Sequence, residues 1–371
     1  MTLEPRRTPR PSGLRAIADM GVPELEALRL LLRGGSVVDW RRLDFRDAEE
    51  VTRFLALNLL DVDDPRDEQR LRSVLAQAVE YLRVEFGYKV ATPVAEPADV
   101  RDLFLLASGA KEPHRYRRIA CVVLKVMHVI HHIEARELLF RTALREADLA
   151  ERANRRIMAE AERMIADGLP IVEFRGNVKS RGALVTKLLA KKESVAAQVF
   201  DRVRYRVVTA RREQIPAVVL RLAEHLFPFN YAVPGQTQNS LVRFADLLRT
   251  HPSGAELGKL LQLPANLERK DPSAPRNEFS GREFKMLNFV VDLPVRVDDL
   301  LPSPGPSDDL GRVVFTLVEF QIVDRATALR NEQGDSSHER YKKRQLKQVL
   351  RRLSRGLVVP KRKPPRRKGA R

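Results

Sequence analysis

Cysteine is almost absent from this chain. Cys121 is the one thiol in 371 residues, so no disulfide can form within it, and a reducing compartment suits it best. Tryptophan is also single, and aromatics make up only 6% of the residues. No apolar run reaches membrane length. The longest attempt, IACVVLKVMHVIHHI, is interrupted by Lys125, His128, His131 and His132. The first residues, MTLEPRRTPRPSGLR, are basic and proline-rich with no apolar core behind them, unlike a secretory leader. These absences argue against a disulfide-stapled secreted module and against a membrane protein. They predict a cytoplasmic chain with no membrane partner.

Acid is missing from one end. Residues 341–371 carry fourteen Lys or Arg and no Asp or Glu, within a net charge of +18. The remaining residues therefore hold only about +4, so the excess charge belongs to a tail and not to the fold. Such a run can bind RNA through counterion release. A solvated end that aids solubility is the equal alternative.

What is present suffices for two modest domains or one large one, since 43% of residues are hydrophobic. Residues 1–13 are expected to be a disordered basic arm, and 14–168 a helical N-terminal domain. GVPELEALRLLLRGG carries leucines at helical spacing and stops at a glycine pair. DAEEVTRFLALNLL and DEQRLRSVLAQAVEYLRVEFG open with acidic first turns. ATPVAEPADV is a proline-broken connection, and the segment around IACVVLKVMHVIHHI is expected to be a central, largely buried helix. From Leu169 the pattern changes to alternating strands and helices. IVEF, VFDRVRYRVVTA, FKMLNFVVDLPV and VVFTLVEFQIVD are expected as strands, and QIPAVVLRLAEHLF as a helix. The fold class expected is α+β, a mixed sheet preceded by an all-helical domain. Residues 169–355 form the sheet domain, 233–279 an insertion or lid within it, and 356–371 a basic disordered tail.

Four segments carry chemistry. NVKSRGALVTKLLAKK places Lys179 and Lys187 around a glycine turn at a helix start, where backbone N–H groups and ammonium groups can meet an anion. FDRVRYRVV puts Arg202, Arg204 and Arg206 on one strand face, which needs solvent or anionic ligands. SGREFKMLNFVV is a glycine turn feeding an apolar strand. VEFQIVD sets Glu319 and Gln321 on the face opposite Phe320 and Ile322.

Together and in this order the four segments resemble the RelA/SpoT (p)ppGpp synthetases, a nucleotidyltransferase-like family. That family's E-x-Q-I-x-T, E-x-G and H-x-x-Y-K motifs match Glu319, Gln321, Ile322, Glu332, Gly334, His338, Tyr341 and Lys342 without a gap. Its D-x-x-x-x-R strand matches Asp201 and Arg206. Its lysine-bearing segment matches Lys179, Ser180 and Lys187, and its Y-x-S-L-H-x-V-V strand matches Leu287, Val290 and Val291. The chain departs from the family in five places. Asn177 stands where an ATP-contacting arginine is usual, and Ala183 where a serine is. Phe284 replaces the tyrosine that stacks on the acceptor base, and Asn288 the histidine of that strand. Val323-Asp324 replaces Arg-Thr.

The resemblance implies an enzyme: a Mg²⁺-dependent nucleotide pyrophosphokinase, in which a nucleotide 3′-hydroxyl attacks the β-phosphorus of ATP. It assigns Asp201 and Glu319 as the metal-holding, catalytic carboxylates. Lys179, Ser180, Lys187, Arg204 and Arg206 are the expected phosphate-binding residues. Phe284, Gln321 and His338 complete the nucleotide site, with His338 and Tyr341 closing on substrate or packing. Strict alternation places Asp201 and Arg206 on opposite faces, so Asp201 must precede the strand or sit at a bulge. An RNA acceptor such as a tRNA 3′ end, and a non-catalytic nucleotide- or RNA-binding protein, are the alternatives. His128 and His132 at i, i+4 permit a metal site, but a polar-lined buried helix accounts for them better. No His-Asp dipeptide of the family's hydrolase domain is present.

The tail can be tested alone. Removing residues 356–371, which carry seven of the fourteen charges, is expected to weaken RNA binding and flatten its salt dependence. Affinity measured at two salt concentrations decides this, and unchanged affinity and slope would leave the tail as a solubility element.

Overall fold

The computed structural model describes residues 16–35, 38–40, 43–178, 181–190, 203–261, 284–302, 305, 307–333 and 338–354. Lys179, Ser180, Asp201 and the segment 356–371 lie outside them. The fold is α+β, as expected. A five-stranded mixed sheet has the order β1-β2-β5-β4-β3, built from β1 (Ile171–Val178), β2 (Val203–Thr209), β3 (Gln238–Asn239), β4 (Leu287–Arg296) and β5 (Val313–Asp324). β2 and β5 run parallel in the centre, and every other pairing is antiparallel.

Among the described residues seven α-helices precede the sheet: α1 (Val22–Arg33), α2 (Ala48–Leu57), α3 (Pro65–Phe86), α4 (Thr92–Ala95), α5 (Arg101–Ser108), α6 (Arg117–Arg141) and α7 (Glu146–Ala166). The proline-broken connection thus holds a single helical turn. Local signals set the helix ends. Gly21 N–H donates to Glu24 Oε2 at 2.8 Å to open α1, and Gly34, at φ 66°, closes it in the left-handed conformation that favours glycine. Asp47 caps α2 by accepting from Glu50 N–H at 2.8 Å.

One face of the sheet is apolar and carries a row of rings. Tyr205, Phe320 and Phe289 sit side by side on β2, β5 and β4 at 5.7 and 5.6 Å between centroids, all fully buried. Gly176 on β1 faces Tyr205, and a Cβ there would lie 2.8 Å from the tyrosine ring, so the ring's position requires glycine. The tyrosine hydroxyl donates to Asn154 Oδ1 of α7 at 2.7 Å. α9 (Ile215–His225) contributes a nearly all-buried face to the same core.

This core does not stop at residue 168. Leu25, Leu28 and Leu31 of α1, Leu138 of α6 and Ile157 of α7 belong to the same cluster as Phe289 and Phe320. Arg156 ties the halves together, donating to Pro294 O at 3.0 Å and Leu57 O at 3.2 Å. Within the expected insertion, the described residues 233–261 form β3, α10 (Phe244–Thr250) and α11 (Gly254–Leu260). Leu241, Phe244, Leu247 and Leu261 bury into the main core, so this stretch packs against α1 and does not hang over the sheet. α6, expected to be largely buried, has one open side. Val129, Ile133 and Phe140 are exposed along one of its stripes.

α6 crosses the other sheet face at its Phe315 end. His132 stacks on Phe315 at 4.1 Å with 10° between planes, and His128 lies 4.4 Å from His132. Among the described residues no group of three or more His, Cys, Asp or Glu has metal-holding geometry, and His131 also packs edge-on against Phe315 at 5.3 Å. Asn230 Nδ2 donates to His128 Nδ1 at 3.2 Å. Burial holds the His128 ring well below its ordinary pKa, and burial with His132 and Arg70 nearby holds His131 at about 3. Both rings are neutral in the fold, whereas in the unfolded chain they titrate near the ordinary 6.5. Above that value neither state binds a proton there, and stability is unaffected. Below it the unfolded chain gains protons that the fold refuses, so stability falls as pH drops from about 6.5 toward 3. At pH 5 the loss from His131 alone is expected to be about 2 kcal/mol. Urea unfolding at pH 7.5 and 5.0 measures it, and His131→Phe should remove part of the difference. An unchanged difference in that variant would contradict the account.

Candidate active site

Opposite the aromatic row, the sheet presents polar side chains in register. Arg204 is paired with Glu319 and Arg206 with Gln321 across β2 and β5, while Asn288 and Val290 of β4 face Gln321 and Glu319. Pleating makes this necessary. Since Tyr205, Phe320 and Phe289 point to the core, their neighbours in each strand point the other way.

Glu319 is only 5% exposed. An isolated carboxylate at that depth costs several kcal/mol, and here both oxygens are engaged. Arg204 Nε donates to Oε2 at 2.6 Å, and Gln321 Nε2 donates to Oε1 at 3.2 Å. Arg206 reaches Glu332 at 3.4 Å, beyond the end of β5. Its Nε and the Oδ1 of buried Asn288 have no hydrogen-bond partner among the described residues. Buried polar atoms of that kind are uncommon, and both lie on the Glu319 face.

The strands' ends carry the supporting structure. Asp324 closes β5 and caps α12 (Arg325–Asn331), accepting from Thr327 N–H at 2.9 Å. Burial would raise the Asp324 carboxyl, but the Thr327 hydrogen bonds outweigh it and hold it below its ordinary range. The family's threonine at this position is thus replaced by another strong cap residue. Asn331, buried, clamps the backbone of Lys285 twice, accepting from its N–H at 3.1 Å and donating to its carbonyl at 2.7 Å. It thereby anchors the residue beside Phe284, which is half-buried just ahead of β4. Sequence reasoning missed Asn331, because the contact spans 46 residues and no local pattern marks it.

The expected site residues therefore divide. Arg204, Arg206, Glu319 and Gln321 share one face of two adjacent strands. Lys187 is half-buried on α8 (Arg181–Ala190), which packs against α13 (His338–Leu353), and His338 opens α13. Among the described carboxylates, Glu319 is the one that faces this polar cluster from the sheet centre. A carboxylate is the ligand type Mg²⁺ takes, together with substrate phosphates, but both Glu319 oxygens are already engaged by Arg204 and Gln321.

No family model matches the chain, and no curated protein matches it. Solved structures similar to it include small alarmone synthetase 1 from Bacillus subtilis bound to its product pppGpp, at 12% identity and TM-score 0.28, covering 55% of this chain and 87% of that one. Small alarmone synthetase 2 from Bacillus subtilis is similar at 14% identity and TM-score 0.26, covering 54% and 87%. A GTP pyrophosphokinase family protein from Streptococcus pneumoniae gives 14%, 0.25, 54% and 87%.

The Arg204–Glu319 pair has a measurable signature. Arg204→Leu strands a buried carboxylate and is expected to cost about 3 kcal/mol in urea unfolding. Adding Glu319→Leu removes the stranded charge and should recover much of that loss. Strictly additive losses would show that the two side chains are not coupled.

Proposed function

We propose that this protein transfers a pyrophosphoryl group from ATP to a nucleotide 3′-hydroxyl. The carrying observation is Glu319, a 5%-exposed carboxylate on the polar face of the sheet centre, held by Arg204 and Gln321 with Arg206 beside it. A buried acid next to two arginines is costly to build and has the makings of a phosphate-transfer site. The motif match of Glu319, Gln321 and Arg206 supports the same reading.

In this reaction the 3′-oxygen bonds to the β-phosphorus, the bond from that phosphorus to the α-bridging oxygen breaks, and AMP leaves with the bridging electrons. Glu319 accepts the hydroxyl proton or directs it to water, and Gln321 and Arg204 fix its orientation. Arg206, Lys187 and Lys179 hold the triphosphate, and Phe284 stacks on the acceptor base. Mg²⁺ would be held by Glu319 with Asp201, and when bound it supplies charge neutralisation at the phosphate oxygens. Such transfer depends chiefly on positioning and charge.

A second reading keeps the chemistry and makes the acceptor an RNA 3′ end. The observation favouring it is α13, where seven Lys or Arg in sixteen residues lead directly into the basic tail.

Incubation with β-labelled ATP, Mg²⁺ and a panel of nucleotides and tRNA tests the proposal. AMP release with label on an acceptor is the expected result, and the labelled species separates the two readings. Glu319→Gln and Asp201→Asn are each expected to lower turnover at least 100-fold, about the worth of a general base, in protein that circular dichroism shows folded. No AMP with any acceptor, or full activity in either variant, would end the proposal.

A further inference from the structure

The packing of α13 on α8 fixes which of its faces points outward. Val349 is buried with Ala190, and Tyr341 and Leu189 pack beside them. Arg352 Nη1 donates to Leu189 O at 2.5 Å. With that side turned inward, every exposed residue from 340 to 353 is a Leu, a Lys or an Arg. Leu346, Leu350 and Leu353 are 37%, 48% and 50% exposed. At i, i+4 and i+7 they form a single stripe. The 3.6-residue turn sets Lys342 on one flank of the stripe and Lys343 and Lys347 on the other.

Exposed leucines in a row mark a contact surface, and the cations around them restrict what can cover it. The occupant must offer negative charge at its edge and an apolar layer behind that edge. RNA offers the charge, but its unstacked bases are received by aromatic rings, and residues 342–371 contain none. A second copy of the chain would set its own cations against these. An anionic phospholipid surface has both layers in the required order, with phosphates outside and acyl chains beneath.

We propose that α13 docks in the plane of an anionic phospholipid bilayer. The three leucines enter the boundary between headgroups and acyl chains. The stems of Lys342, Lys343 and Lys347 lie along that boundary and carry their ammonium groups back to the phosphates. No described helix is long and apolar enough to cross a membrane, and a helix lying in the interface needs to be neither. The sequence beyond α13 continues in the same terms, with Leu357, Val358 and Val359 and then seven Lys or Arg in residues 361–371 without an acid. A short apolar insertion alone binds weakly, and a polybasic segment beside it is the second signal that stabilises attachment. The proposal is independent of the transfer reading above, since it rests on α13 and not on Glu319.

Sedimentation of the full-length protein with lipid vesicles tests this, comparing phosphatidylglycerol mixed into phosphatidylcholine with phosphatidylcholine alone. Binding to the anionic vesicles and not to the neutral ones is expected, weakening as salt rises. Leu346→Gln with Leu350→Gln should lower vesicle affinity about tenfold, and Lys343→Glu with Lys347→Glu should lower it by a similar factor. All four positions are exposed, so both pairs should keep the fold, which circular dichroism checks. RNA affinity should be unmoved by the leucine pair. Failure to bind anionic vesicles, or equal binding to neutral ones, overturns the proposal. Vesicle binding that ignores the leucine pair overturns it too, because the face would then act by charge alone. An RNA affinity that falls with the leucine pair would assign the face to RNA. A native oligomer that the leucine pair dissociates, read by sedimentation velocity, would make a second copy the occupant, and either result overturns the docking.

Discussion

A carboxylate at the middle of a sheet must be compensated where it stands, and Glu319 is compensated by Arg204 at 2.6 Å. That single contact constrains much of the rest. It requires β2 and β5 to be direct neighbours in parallel, with Arg204 opposite Glu319 and not one residue away. A slip of one residue would turn Arg204 into the core and Tyr205 out of it. The aromatic row of Tyr205, Phe320 and Phe289 beneath the pair prevents this. Its rings fill fully buried space, and their removal from it would cost several kcal/mol. The apolar face thus holds the register, and the register holds the charge pair.

The helical half of the chain works as part of the sheet's surroundings. α1 and α7 share its apolar core, and α6 covers the Phe315 end of its polar face through His132. Farther along that face Glu319, Gln321, Arg204 and Arg206 meet. A protein with the same sheet but another helical cover would present a different groove beside the same carboxylate.

The departures from the synthetase motifs acquire physical content in this setting. Asp324 replaces a threonine and still caps the following helix, so that change conserves a structural task. Asn288 replaces a histidine and leaves a buried Oδ1 without a partner among the described residues, so that change alters what the strand can offer a ligand. The two substitutions look alike in sequence, and only the surrounding contacts separate them.

Much of this was legible in the sequence. Alternation placed β2 and β5, because a pleat sends successive side chains to opposite faces, and an apolar run after a glycine turn placed β4. The same alternation put Arg204 with Arg206, and Glu319 with Gln321, on polar faces, and motif spacing put Glu319 at their centre. Glycine and acidic caps marked the ends of α1 and α2. What the sequence could not supply was the pairing of distant segments. That Arg204 lies against Glu319, that Asn331 clamps Lys285, and that Asp292 meets His132 depend on separations of 46 residues or more, which no local pattern encodes. The exposed stripe of α6 was hidden for the same reason. An apolar helix reads as buried all round until the tertiary structure shows which of its faces has a partner.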